Sequence, residues 1–106
     1  QGDGEICGTA IEASLTARIV VDVAPDMRVE SPVLETASHW YTHGFGDDLD
    51  AAMRMAASLA LQLIVDRYGL SIDDAYSVAS VALDLGVTQV VDGKVGCHAG
   101  IPKSIF

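Results

Sequence analysis

Residues 47–71 read DDLDAAMRMAASLALQLIVDRYGLS, and the spacing of their apolar positions decides the fold class. Leu49, Ala52, Met53, Ala56, Ala60, Leu63 and Ile64 recur at three- and four-residue steps, while Asp50, Arg54, Ser58, Gln62 and Asp66 run along the opposite side. That period predicts a long amphipathic helix. Asp47 and Asp48 place negative charge at the positive end of its macrodipole. Gly69 after Tyr68 is the residue type that closes a helix in the left-handed conformation. Immediately downstream, Ser71 and Asp74 have capping-box spacing and predict a second helix, Ile72 to Leu85, closed by Gly86. Ala75, Val78, Ala79, Val81, Ala82 and Leu83 make that helix apolar nearly all round, so it is expected to be buried on more than one side.

The period changes on both flanks. Downstream, Val87 to Val91 and Val95 to Ile101 surround an Asp92-Gly93 turn signal and predict a β-hairpin, which Pro102 ends by removing a ladder donor. Upstream, Val33 to Tyr41 is rich in β-branched and aromatic residues and reads as a strand region entered through Pro32. Farther upstream, Leu15, Ala17, Ile19, Val21 and Val23 alternate with Thr16, Arg18, Val20 and Asp22, the period of two of a half-buried strand. The expectation is an α+β fold. An N-terminal strand belonging to a larger β-structure precedes a mainly antiparallel sheet with two helices on one face and a C-terminal β-hairpin. The seam lies near Pro25 to Pro32. It divides residues 1–25, a strand segment completing an N-terminal β-domain supplied by chain not in view, from residues 26–106, an α+β C-terminal domain.

The 106 residues include six Lys plus Arg against fifteen Asp plus Glu, a formal net charge of -9. Such a surface repels nucleic acid and anionic membranes, so neither is an expected partner. Asp, Arg or Gly interrupts each apolar run before the roughly 18 to 20 residues of a membrane span. Cys7 and Cys97 lie in apolar, strand-like surroundings that suit small buried thiols better than a disulfide framework, and a reducing cytoplasm is the default expectation. The chain opens without an initiator Met, and its first strand-like stretch has no earlier strand on which to pair, which suggests missing chain.

The richest local motif is that opening, QGDGEICGTAIE, residues 1–12. Its glycines permit sharp turns or close backbone approach to a ligand, and Asp3 and Glu5, two apart, share a side if the segment is extended. An acidic turn is the plain alternative. Together with DLDAAM, with DRYGLSIDDAYSVASVALDLGVTQVVD and with the closing IPKSIF, the motif resembles the C-terminal third of the acetamidase/formamidase family, in order and spacing over nearly the whole chain. The resemblance implies hydrolysis of short aliphatic amides such as formamide or acetamide, and of cyclic amides of the γ-lactam type, to carboxylic acid and ammonia. It also implies that a histidine-containing segment directly before QGDGE is absent here. The N-terminal part of the same enzyme, an amide substrate and further copies of the protein are the expected partners, and the chain alone is expected to be inactive.

Amide hydrolysis needs an activated nucleophile, stabilisation of an oxyanion and a proton for the departing amine. Glu5 is the candidate proton relay. Asp3 is the second catalytic candidate, orienting the water or serving as a metal ligand with the upstream histidine, and zinc is the natural ion for such a site. Their alternative role is to cap the turn entering a strand. Glu12, a carboxylate among small and apolar residues, and Cys7 are candidates for substrate binding, against a surface position for the first and a packed thiol for the second. His39 and His43 share a face if residues 40–42 are extended; with His98 they read as surface or hydrogen-bonded core histidines. A non-catalytic module that binds a partner or small ligand on the same scaffold is the rival functional reading.

Overall fold

Helix α1 (Leu49–Tyr68) forms where its period predicts it, and both of its ends are closed by side chains or backbone of the expected kind. The Asp48 carboxylate accepts a 2.7 Å hydrogen bond from the Ala51 amide. Gly69 takes φ 68° and returns its amide to the Val65 carbonyl. Ser71 caps α2 (Ile72–Ala82) by accepting from the Asp74 amide while its hydroxyl donates to the Asp74 carboxylate. Each such cap contributes about 1 kcal/mol. The computed structural model describes residues 3–106.

Four strands complete the unit: β1 (Val33–Glu35), β2 (His39–Gly46), β3 (Asp84–Gln89) and β4 (Val95–Pro102). Their order across the sheet is β1-β2-β4-β3, and every neighbouring pair is antiparallel. The β3–β4 hairpin turns at Asp92 and Gly93, both at positive φ, as the Asp-Gly signal demands. Together the sheet and helices form the expected α+β arrangement.

One face of the sheet is covered by α1, with α2 packed on α1. Ala52, Ala56, Ala60 and Ile64, each four residues after the last, are fully buried against Trp40, Cys97, Ala99 and Ile101. The three alanines let the helix come unusually close: a Cβ on Gly44 would lie 2.2 Å from the Ala52 carbonyl oxygen. Thr42, buried beside it, satisfies its hydroxyl by donating to the Ala56 carbonyl at 2.8 Å. The C-terminus ties down the β1–β2 turn, with the Lys103 amide bonded to the Ser38 carbonyl and its ammonium to Glu35 and the Thr36 carbonyl. Lys103 and Arg67 lie 4.7 and 4.6 Å from the centre of the Trp40 ring, cations over an aromatic face.

Residues 6–32 contain no helix or strand, and Leu15, Ile19, Val21 and Val23 are all at least 80% exposed. A strand needs a neighbour for its backbone, and the expected one belongs to chain outside the described residues. Three expectations need correction. The Val33–Tyr41 region is a hairpin, not one strand; Thr36 hydrogen bonds to His39 through both amide and hydroxyl and turns the chain. Helix α2 stops at Ala82, with Leu83 as its C-cap, and Gly86 lies inside β3. Only Ala75 and Ala79 of α2 are buried, and Val81 is 87% exposed, so this helix covers one side here and not several.

Candidate functional site

Among the described residues no helix covers the sheet face opposite α1, and register sets what that face carries. Trp40, Thr42 and Gly44 point toward the helix, so His39, Tyr41, His43 and Phe45 alternate onto the other face. Pairing then brings chosen residues of β4 beside them: His98 lies opposite His43, Gly100 opposite Tyr41 and Gly96 opposite Phe45. On the far side of β4, Gly86 is opposite His98. The expectation that His39 and His43 share a face therefore holds, and His98 joins them.

The acidic opening docks along this sheet. The Gly4 amide bonds to the Val87 and Thr88 carbonyls at 2.7 and 3.0 Å, the Glu5 amide to Thr88 at 3.2 Å, and the Val90 amide returns to the Glu5 carbonyl at 2.9 Å. A parallel bridge pairs Glu5 with Gln89. Gly4 adopts φ 74°, a left-handed conformation that glycine takes without strain. The motif thus acts as a short extra strand on the β3 edge, and it brings the Asp3 carboxylate 3.8 Å from His98 Nε2.

His98 is held by four neighbours. Its ring lies across Gly86, where a Cβ would sit 2.6 Å from Nε2. Its Nδ1 is 3.2 Å from the Thr88 hydroxyl, Tyr41 meets it edge-on at 6.0 Å between ring centres, and His43 lies at 6.3 Å. His43 is oriented in turn: its Nδ1 donates to the Pro32 carbonyl at 2.9 Å, which directs Nε2 away from that bond. The signal for this cluster in the sequence is the alternation His39-Trp40-Tyr41-Thr42-His43, but His98 joins only through strand pairing that spans more than fifty residues.

The other expected site residues are elsewhere. Glu12 is exposed and forms no ion pair among the described residues. Cys7 is exposed, not packed; hydrogen bonds from the Thr9 hydroxyl and then the Thr9 amide pull its thiol below the ordinary range. Cys97 is the packed thiol, and burial pushes its pKa up. The expected zinc would have to take most of its ligands from outside the described residues. Among the described residues no group of three or more His, Cys, Asp or Glu side chains could hold a metal ion, whereas a zinc site takes at least three protein ligands. Among the described residues no helix is long and apolar enough to cross a membrane, because α1 carries charges along its length.

Comparison with known proteins places this architecture. No family model matches the sequence, and the comparison with curated proteins found no match. Solved structures do match. An acetamidase from Bacillus halodurans is 31% identical, with a TM-score of 0.65 over 71% of this chain and 25% of its own. A predicted acetamidase/formamidase from Thermoanaerobacter tengcongensis is 23% identical, with a TM-score of 0.70 over 76% of this chain and 27% of its own. An acetamidase from Yersinia enterocolitica is 23% identical, with a TM-score of 0.73 over 76% of this chain and 24% of its own. The chain spans about a quarter of the length of the structures it matches. It has the acetamidase/formamidase-family fold.

Proposed function

We propose that this chain is the C-terminal part of an amidohydrolase that cleaves short amides, formamide, acetamide or a γ-lactam, to carboxylic acid and ammonia. The observation that carries the reading is the docking of the acidic opening on the β3 edge, with Asp3 beside a firmly held His98 on an uncovered sheet face. A fold found in acetamidases supports it.

In this reading Glu5 takes a proton from the attacking water as its oxygen adds to the amide carbonyl, and passes a proton to the departing nitrogen as the C–N bond breaks. Asp3 orients the polar groups that meet it. The remainder of the pocket comes from another polypeptide segment, which also gives the exposed alternating stretch Leu15–Val23 a strand to pair with, so that residues 1–25 complete a β-domain beside the α+β unit of residues 26–106. A zinc bound by Asp3 would need most of its ligands from that same segment. Cytoplasmic location and assembly into an oligomer belong to the same proposal.

The test is ammonia release from formamide and acetamide by the full-length protein that carries this chain, beside the 106-residue chain alone. Turnover by the first and none by the second is the expected result. A full-length protein that folds and releases no ammonia from any short amide would leave the binding-module reading in place.

A further inference from the structure

The spacing of Asp3 and His98 carries more than the hydrolytic reading uses. At 3.8 Å, Asp3 Oδ2 and His98 Nε2 are too far apart for a direct hydrogen bond and near enough for both to reach one small molecule. The imidazole is largely covered and the carboxylate is 77% exposed, so the pair opens outward. The Thr88 hydroxyl lies 3.2 Å from Nδ1, and the tautomer with its proton on Nε2, facing the Asp3 carboxylate, is the one in which that hydroxyl donates to Nδ1. A donor and an acceptor then stand side by side.

A primary carboxamide presents the complementary pair on one edge, a carbonyl acceptor and the N–H syn to it. Its oxygen and nitrogen are about 2.3 Å apart by standard bond lengths. Two slightly splayed hydrogen bonds of about 2.9 Å connect such an edge to groups 3.8 Å apart. The geometry points to Asp3 and His98 as a carboxamide clamp: His98 Nε2–H donates to the amide oxygen, and the amide N–H donates to Asp3. Thr88 and Gly86 are positioning residues, the first setting the tautomer and the second leaving room for the ring.

This rests on the amidase reading and adds a rule of selection. A γ-lactam, locked cis by its ring, also shows N–H and C=O on one side and fits the clamp. An open-chain secondary amide is trans, with the two groups pointing apart, and its cis form is rarer by roughly a hundredfold. The product carboxylate offers no N–H to Asp3 and meets it charge against charge, so the acid leaves.

The experiment uses the full-length protein with acetamide, N-methylacetamide and acetate. Wild type is expected to prefer acetamide over N-methylacetamide by about a hundredfold in kcat/KM. His98→Ala and Thr88→Val should each raise the KM for acetamide about tenfold, the loss of one hydrogen bond, with a smaller rise for His98→Asn, which restores a donor. Asp3→Asn keeps an acceptor and removes the charge, so inhibition by acetate should tighten about tenfold. Unchanged acetate inhibition in Asp3→Asn, or a KM within twofold of wild type in His98→Ala, would overturn the clamp. Should the wild type hydrolyse nothing, the hydrolytic reading fails separately, and ring-proton shifts of His98 decide the clamp: movement with acetamide and not with N-methylacetamide supports it, and no movement with either overturns it.

Discussion

Gly44→Ala is expected to destabilise the chain by about 3 kcal/mol or more, at the upper end of what overpacking costs. The added Cβ would lie 2.2 Å from the Ala52 carbonyl oxygen, 2.4 Å from the Ala56 amide nitrogen and 2.9 Å from the Met55 Cβ. The first two are helix backbone and cannot rotate away. The helix must lift from the sheet, which stretches the bond from Thr42 to the Ala56 carbonyl and loosens the seam along Ala52, Ala56, Ala60 and Ile64. Urea unfolding gives the comparison directly, with Gly8→Ala as its control, because nothing lies within 4 Å of a Cβ at Gly8. The control should stay within about 0.5 kcal/mol of wild type. A Gly44→Ala midpoint equal to that of the control would mean that the close helix-to-sheet approach is wrong.

The second large effect concerns chemistry. Glu5→Gln in the full-length protein should lower ammonia release from acetamide by a factor of at least about 100, the lower end of what a positioned acid–base group contributes. Glutamine keeps the size of the side chain and the backbone bonds that join Glu5 to Thr88 and Val90, so the loop stays docked. An unchanged melting temperature alongside lost turnover separates proton relay from loop folding. Near-normal turnover would reject the assignment of Glu5 and leave Asp3 and His98 to be judged by their own variants.

Much of this architecture is legible in local signals. The caps at Asp48 and Ser71, the left-handed Gly69 and the Asp92-Gly93 turn are each set by a residue and its nearest neighbours, so the sequence alone predicts both helices and the terminal hairpin. What it misses depends on partners. Gly86 reads as a helix stop because a glycine follows an apolar run, yet its place is fixed by the His98 ring that lies over it from the neighbouring strand. Leu15–Val23 has the alternation of a strand, but alternation describes side chains and a strand also needs hydrogen-bonding neighbours. Cys7 reads as packed because its neighbours are apolar and small, although the apolar Ile6 beside it is 77% exposed.

The candidate site shows the same division. Asp3 and Glu5 are conspicuous in sequence because they open the motif that carries the resemblance, and His39 and His43 by their alternation in one strand, whereas His98 stands alone in β4. Only the pairing of His43 with His98 and of Glu5 with Gln89 collects them on one face. That is a property of register, which a shift of one residue would destroy by sending either histidine to the helix side.

Amide hydrogen exchange in the full-length protein, with and without saturating acetamide, tests most directly whether the docked acidic loop forms part of an amide-binding pocket. The Gly4, Glu5 and Val90 amides, which hold the loop on the β3 edge, should exchange at least about tenfold more slowly when acetamide is bound, because a ligand that binds only the closed loop stabilises it by mass action. Identical exchange at those three amides in a protein that is turning acetamide over would contradict the account.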